Sequence, residues 1–351
     1  MTQPTRILAV LALLPLIGAG CLGGSKSSSS ADGGLWQSAD TGASWTQLTA
    51  LPTATSIGSI GNVDIISLAV DPSDSTVFYA GTASDGLLYS YDSGTTWQRP
   101  EDTALRSGKI VSVSVDPRDI CTYYVLKTDS VYKTTTCGRT FVAGTYTETR
   151  TDTSLTSMVL DWYSPDTIYL TSTAGDVIAT HDGGKNWATI ERINDQMNKI
   201  MVSRADSRIL LAGSRRHGIY RSTDSGTTWT SFNDDLKKTY RDSDYFADFA
   251  QTADGKTVYM SSKYGLLKSV DQGATWTDVS LITAHSEVAL LALAVDPANG
   301  DNVMYGTSNT FYYSSNGGTA WATKQLPSTR ESAMLLVNDG KVLLGLTQPK
   351  K

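Results

Sequence analysis

Three groups of side chains have types and spacings that could do chemistry. Arg215, Arg216 and His217 stand in a row, and Lys263 with Tyr264 follows one repeat later. Neighbouring guanidinium groups can hold a carboxylate or phosphate through paired hydrogen bonds, and a Tyr ring can stack on sugar or peptide. These five are the candidate binding residues. Asp85, Asp129 and Asp176 form the second group, one in each of three successive tight loops. A glycosidase needs two carboxyl groups about 5–9.5 Å apart across the scissile bond, so these residues carry the alternative, enzymatic reading. Asp beside Gly or Ser is also what a plain turn selects. The third group is the cysteines. Cys121 and Cys137 fall in turns at the same end of one repeat and are expected to form a disulfide, while Cys21 stands near the N-terminus. His181, His217 and His285 lie in different repeats without ligand spacing, and the chain has neither a phosphate-cradling Gly-rich loop nor a Gly-x-Ser-x-Gly elbow. No cofactor and no metal are expected.

The elements that must position these residues are set by an octapeptide. Residues 222–229 read Ser-x-Asp-x-Gly-x-Thr-Trp, and related stretches start at 38, 90, 134, 180, 269 and 314. A spacing near 45 residues from end to end indicates a repeat architecture. In each copy a short carboxylate accepts backbone N–H bonds, Gly takes a positive φ, and the closing aromatic opens a strand. Asp40, Asp92, Asp182, Asp224 and Asp271 occupy the acidic position; Asn316 replaces it in the last copy and Thr136 in the third. Seven such residues in seven separate turns cannot converge on one site, so the structural reading of the motif prevails. Between the copies, short runs rich in Val, Ile, Tyr and Thr alternate with Gly/Pro/Asp turns, which predicts an all-β chain. Residues 231–245 read as a long connecting loop.

The ends of the chain predict the topology. The first repeat supplies only a third and a fourth strand (35–38 and 45–48), and the last supplies only a first and a second (334–337 and 342–346). Together they make one four-stranded sheet, which closes a ring of seven blades and protects strand edges. With 351 residues, 40% apolar content and a net charge of −6, the chain can bury a large core and has no overall attraction to nucleic acid. A monomer is expected. Residues 1–21 read as a signal segment: Arg6, an apolar run over 7–17, then Gly18, Ala19, Gly20 and Cys21. Residues 22–33, with four Ser in a row, read as a tether, and 34–348 as the domain.

Small residues directly before Cys21 resemble the bacterial lipobox, although Gly18 stands where that motif usually has Leu. The resemblance implies lipidation of Cys21 and an exported, membrane-anchored protein at the outer membrane or cell surface. The octapeptides resemble Asp-box repeats of the bacterial neuraminidase type over residues 34–347. That resemblance implies a β-propeller and spans several activities: sialidases, xyloglucan-degrading hydrolases, the sortilin ectodomain and photosystem II assembly-factor propellers. Fold does not choose among them. The arginine triad of sialidases has no counterpart, since no Arg occurs between Arg6 and Arg99. In such propellers the octapeptide turns lie on one face, while the loops joining second to third strands and the inter-blade loops lie on the other, where ligands bind. Arg106, Lys127 and Arg150 would share that second face with the five candidates. A non-catalytic envelope module that binds a protein or an acidic glycan is therefore expected, with a glycoside hydrolase as the alternative.

Overall fold

Second strands are buried on both faces, and their sequences show it. Ile168–Ser172, Leu210–Ser214 and Val258–Ser262 are buried at every residue, whereas the outermost strand Ala322–Gln325 is exposed throughout. Such a gradient arises when small twisted sheets stand side by side in a ring and pack face to face. The computed structural model describes residues 31–349. The expected signal segment, Cys21 and residues 22–30 of the tether lie outside the described residues.

Seven antiparallel blades form the ring. Blade 1 comes from both ends of the chain: Glu331–Asn338 and Lys341–Thr347 pair with Leu35–Ser38 and Thr46–Leu48, and Trp36 lies opposite Leu344. Blade 2 holds Ile65–Asp71, Asp74–Thr82 and Leu87–Ser90. Blades 3 to 7 start at Ile110–Val115, Leu155–Leu160, Met197–Val202, Phe246–Gln251 and Ala292–Asp296, each with four strands. The core lies between blades. Leu35 and Leu343 of blade 1 pack with Ile65, Phe78 and Leu88 of blade 2, and Leu344 packs with Met304 and Phe311 of blade 7. Each such side chain contributes roughly 1.5–3 kcal/mol on burial. Ring closure is therefore built into the core as well as into strand pairing.

A buried arginine reinforces the closure. The Arg330 side chain, 6% exposed, pairs with Asp32 at 3.0 Å and also with Asp64. Asp64 in turn accepts from the Gln348 amide at 3.1 Å. One residue before blade 1 thus ties the N-terminal, C-terminal and blade 2 segments together.

Two local features depart from expectation. The strand that the closing aromatic of the octapeptide should open is reduced in blade 2 to the pair Tyr89–Gln98, since the next ladder position is Pro100, which has no amide to donate, while the Trp97 amide donates outward to Ala50 at 2.8 Å. Ala50 belongs to an additional hairpin, Ala50–Pro52 with Ile57–Ser59. The connection at 231–245 contains a short helix, Asn233–Thr239. Asp234 and Asp235 in its first turn, and Lys237 and Lys238 in its last, suit the helix dipole, and Leu236 anchors it in the core.

Candidate functional site

The Asp and Asn side chains of the octapeptides act within their own turns. In the first copy the Asp40 carboxylate accepts from the Ser38 hydroxyl at 2.7 Å, the Ser44 amide at 2.8 Å and the Ser44 hydroxyl at 2.6 Å. Asp92, Asp224 and Asp271 repeat the pattern with Thr96, Thr228 and Thr275, Asp182 with Asn186, and Asn316 with the Ala320 amide. These bonds hold the carboxyls of Asp40 and Asp224 at about 2, well below the usual range. The turn demands more than its Gly. In the fifth copy Ser225 has φ 58° and Gly226 has φ 87°, and every copy shows two consecutive left-handed residues. With the Asp carboxylates used within their turns, and carbonyls such as Ser225 and Gln272 accepting from Tyr169 and Arg221 of the preceding blades, this face offers turn geometry and little free chemistry.

The opposite face carries the candidates. Its loops between second and third strands are closed by a small hydroxyl at the end of the second strand. Ser214 accepts from the His217 amide at 3.0 Å, as Thr82 does from Asp85 at 2.7 Å and Thr307 from Thr310 at 3.1 Å. The frame repeats while the tips differ. At the tip of blade 5, the Arg215 amide donates to the Gln196 carbonyl at 2.8 Å and the Arg216 amide to the Asp195 carboxylate at 2.5 Å. The same carboxylate lies 3.2 Å from His217 Nδ1. Asp195 thus organises the loop from the preceding inter-blade segment, while the Arg215 and Arg216 side chains stay exposed.

Lys263 and Tyr264 form the matching tip of blade 6. Lys263 Nζ lies 3.5 Å from Asp242 and 5.1 Å from the centre of the Tyr245 ring. Tyr264 stacks on His285 with centroids 4.2 Å apart and planes at 13°. Burial, together with the nearby Asp278, pushes its hydroxyl up to about 12, so it stays a donor at neutral pH. One backbone stretch joins the two tips. The Gly218 amide donates to Asp244 at 2.9 Å, and the Lys263 amide donates to Tyr245 at 2.9 Å. The five candidate residues therefore flank a single strip of the inter-blade loop, with Lys237 on Asp244 at 2.7 Å beside it.

The other basic residues read onto this face are used structurally. Arg106 Nε donates to Pro100 at 2.6 Å and Lys127 Nζ to Ala104 at 2.9 Å. Arg150 pairs with Glu148 at 2.7 Å and with Asp176, which also holds Arg192. Asp176 is a buried hub whose side chain is 1% exposed; the Glu148 side chain, at 3%, shares Arg150 with it. Sequence reasoning placed Asp176 in a turn and missed Glu148 and Arg192. The available signal was that Asp176 directly precedes the apolar run 177–179. Arg150 lowers the pKa of Glu148. Burial pushes Asp176 up, but the bonds from Arg150, Arg192 and Ser172 outweigh it and hold it low. Both carboxylates are ionised at neutral pH, so neither is a ready proton donor, and a glycosidase needs one. Asp85 pairs with Arg99 at 3.8 Å in blade 2, and Asp129 accepts from its neighbour Ser130 at 2.8 Å in blade 3. The three carboxylates proposed from sequence thus stay with separate local partners. Cys121 and Cys137 are neighbours on the octapeptide face, with Cα atoms 3.9 Å apart and the Cys137 amide donating to the Cys121 carbonyl at 3.1 Å.

No family model and no curated protein matches this chain. Solved structures do. The GH74 xyloglucanase from Xanthomonas campestris is similar with a TM-score of 0.65 at 16% identity, over 81% of this chain and 51% of the enzyme. A GH74 enzyme from Niastella koreensis gives 0.61 at 15%, over 81% and 51%. The chain spans about half the length of these enzymes. A structure described as YCF48 bound to D1 peptide gives 0.63 at 16%, over 82% of this chain and 94% of that one. The likeness shows the β-propeller fold. Hydrolases and a peptide-bound propeller share it, so the fold leaves the activity open.

Proposed function

We propose that this chain is a non-catalytic binding or assembly module of the cell envelope, engaging an acidic protein segment or acidic glycan through the loop face at blades 5 and 6. The observation that carries the reading is the pairing of two exposed guanidinium groups, Arg215 and Arg216, with the Lys263–Tyr264 tip across the strip at Asp244–Tyr245. Arg can clamp a carboxylate or phosphate bidentately, and the Tyr264–His285 stack offers a flat polar-edged surface beside it. The peptide-bound YCF48 propeller supports peptide recognition as one form of this activity. The ionised state of Glu148 and Asp176 weighs against the hydrolase alternative suggested by the GH74 likeness. Lipidation at Cys21 would hold the module on a membrane, since each buried methylene adds about 0.8 kcal/mol of affinity. Crosslinking of the full chain in an envelope fraction, beside incubation with xyloglucan, tests the reading. Capture of an acidic partner without sugar release is expected; release of oligosaccharides by the wild-type chain would replace it with the hydrolase reading.

A further inference from the structure

The first strands of the blades line a central channel. One part of it, about 570 Å³, is walled by residues such as Leu68, Met158, Ile200 and Leu335. A second part, about 400 Å³, opens toward the turns between first and second strands. These turns place Pro72, Pro117 and Pro297 at the mouth from blades 2, 3 and 7, and Trp162 from blade 4. Blade 5 places Arg204 there instead, and its side chain borders both parts of the channel.

Arg204 is exposed at the channel mouth, where its side chain borders an apolar lining. Its amide donates to Gln251 Oε1 at 3.0 Å, yet its guanidinium has no ion pair among the described residues. Among the described residues no other charged side chain lines the outer part of the channel; its collar is Val70, Val115, Leu160 and Val337 with the prolines and Trp162. Asp248, the acid of the inner part, is already paired with Lys199. A planar fork of donors in an apolar collar, with no internal counter-ion, matches an anion carried on an apolar body.

We propose that the mouth of the central channel is a binding site for a single carboxylate borne on an apolar body, with the carboxylate on Arg204 and the hydrocarbon against the proline, valine and Trp162 collar. The site lies on the face opposite the Arg215–Arg216 surface and is independent of it. Two sources have this chemistry: a small free acid and the terminal carboxylate of a peptide.

Calorimetry on the full chain separates them, using octanoate, benzoate, octanamide and inorganic phosphate, and a short apolar peptide with a free or an amidated C-terminus. Saturable one-to-one binding of octanoate or benzoate assigns a free acid; binding of the free-terminus peptide alone assigns a chain end. In either case Arg204→Gln should weaken binding at least about tenfold, Arg204→Lys should restore part of it, and octanamide should not bind. Melting temperature verifies that both variants fold, and Lys324→Gln, on the exposed outermost strand Ala322–Gln325, should bind as wild type. The proposal is overturned if no carboxylate probe binds saturably, if Arg204→Gln binds unchanged, or if phosphate binds as tightly as octanoate.

Discussion

The two faces of the ring use the same polar residue types to opposite ends. On the octapeptide face an Asp or Asn repeats around the ring, and each is consumed within its own turn: Asp40 by Ser38 and Ser44, Asp224 by Ser222 and Thr228. On the loop face a frame of Thr82, Ser214 and Thr307 recurs, but what it presents changes from blade to blade. Blade 4 buries an Asp between two arginines, blade 5 exposes two arginines, and the entry to blade 1 buries Arg330 between two acids. Repetition marks what the fold needs from every blade, and departure marks where one blade does something of its own.

The comparison can be broken or sharpened by substitution. The largest effect is expected at the ring closure. Arg330→Leu leaves Asp32 and Asp64 without their shared partner and should cost about 3–5 kcal/mol, measured by denaturant unfolding. Next, we propose that Cys121 and Cys137 are bridged; reduction should then cost roughly 3 kcal/mol in the chain-entropy model. Alkylation of both thiols in unfolded, unreduced protein would rule the bridge out.

Asp176→Ala should follow, at about 1–3 kcal/mol, because Arg150 keeps Glu148 and Arg192 gains water. Acid should reproduce part of that loss. Glu148 and Asp176 both titrate lower in the folded chain than in the unfolded one. Their contribution is therefore full above the unfolded values near 4 and is lost as pH falls further. Unfolding followed by circular dichroism should show a plateau at neutral pH and a decline below about pH 4, shallower in Asp176→Ala. The smallest effect belongs to single octapeptide turns. Asp224→Ala should lower the melting temperature and leave the other turns intact, since each is closed by its own residues.

The repeated face and the ring were legible in the sequence because each rests on local chemistry. Turn residues, strand residues and the missing half-repeats at the two ends are visible without knowing any contact. Blade 2 shows the limit. Its fourth strand shrinks to the pair Tyr89–Gln98, and a hairpin at Ala50 that accepts from the Trp97 amide lies beside it, a contact between segments about fifty residues apart. The placement of the candidate residues was legible in part. Adjacency announced Arg215, Arg216 and His217, and repeat register put Lys263 and Tyr264 on the neighbouring tip. Asp195, Glu148 and Arg330 were not announced, because what each does depends on segments that meet only in the closed ring. The same holds for Arg204. Its turn reads like any other until the blades are arranged and it stands at the channel mouth.

The central claim is that the loop face engages a partner while the octapeptide face maintains the fold. It is tested most directly by measuring affinity and melting temperature together, for the crosslinked partner once isolated. Arg215→Ala/Arg216→Ala should weaken binding by at least about tenfold with an unchanged melting temperature. Asp224→Ala should do the reverse, melting lower while binding as wild type when folded. A folded double-arginine variant that binds as wild type would contradict the account.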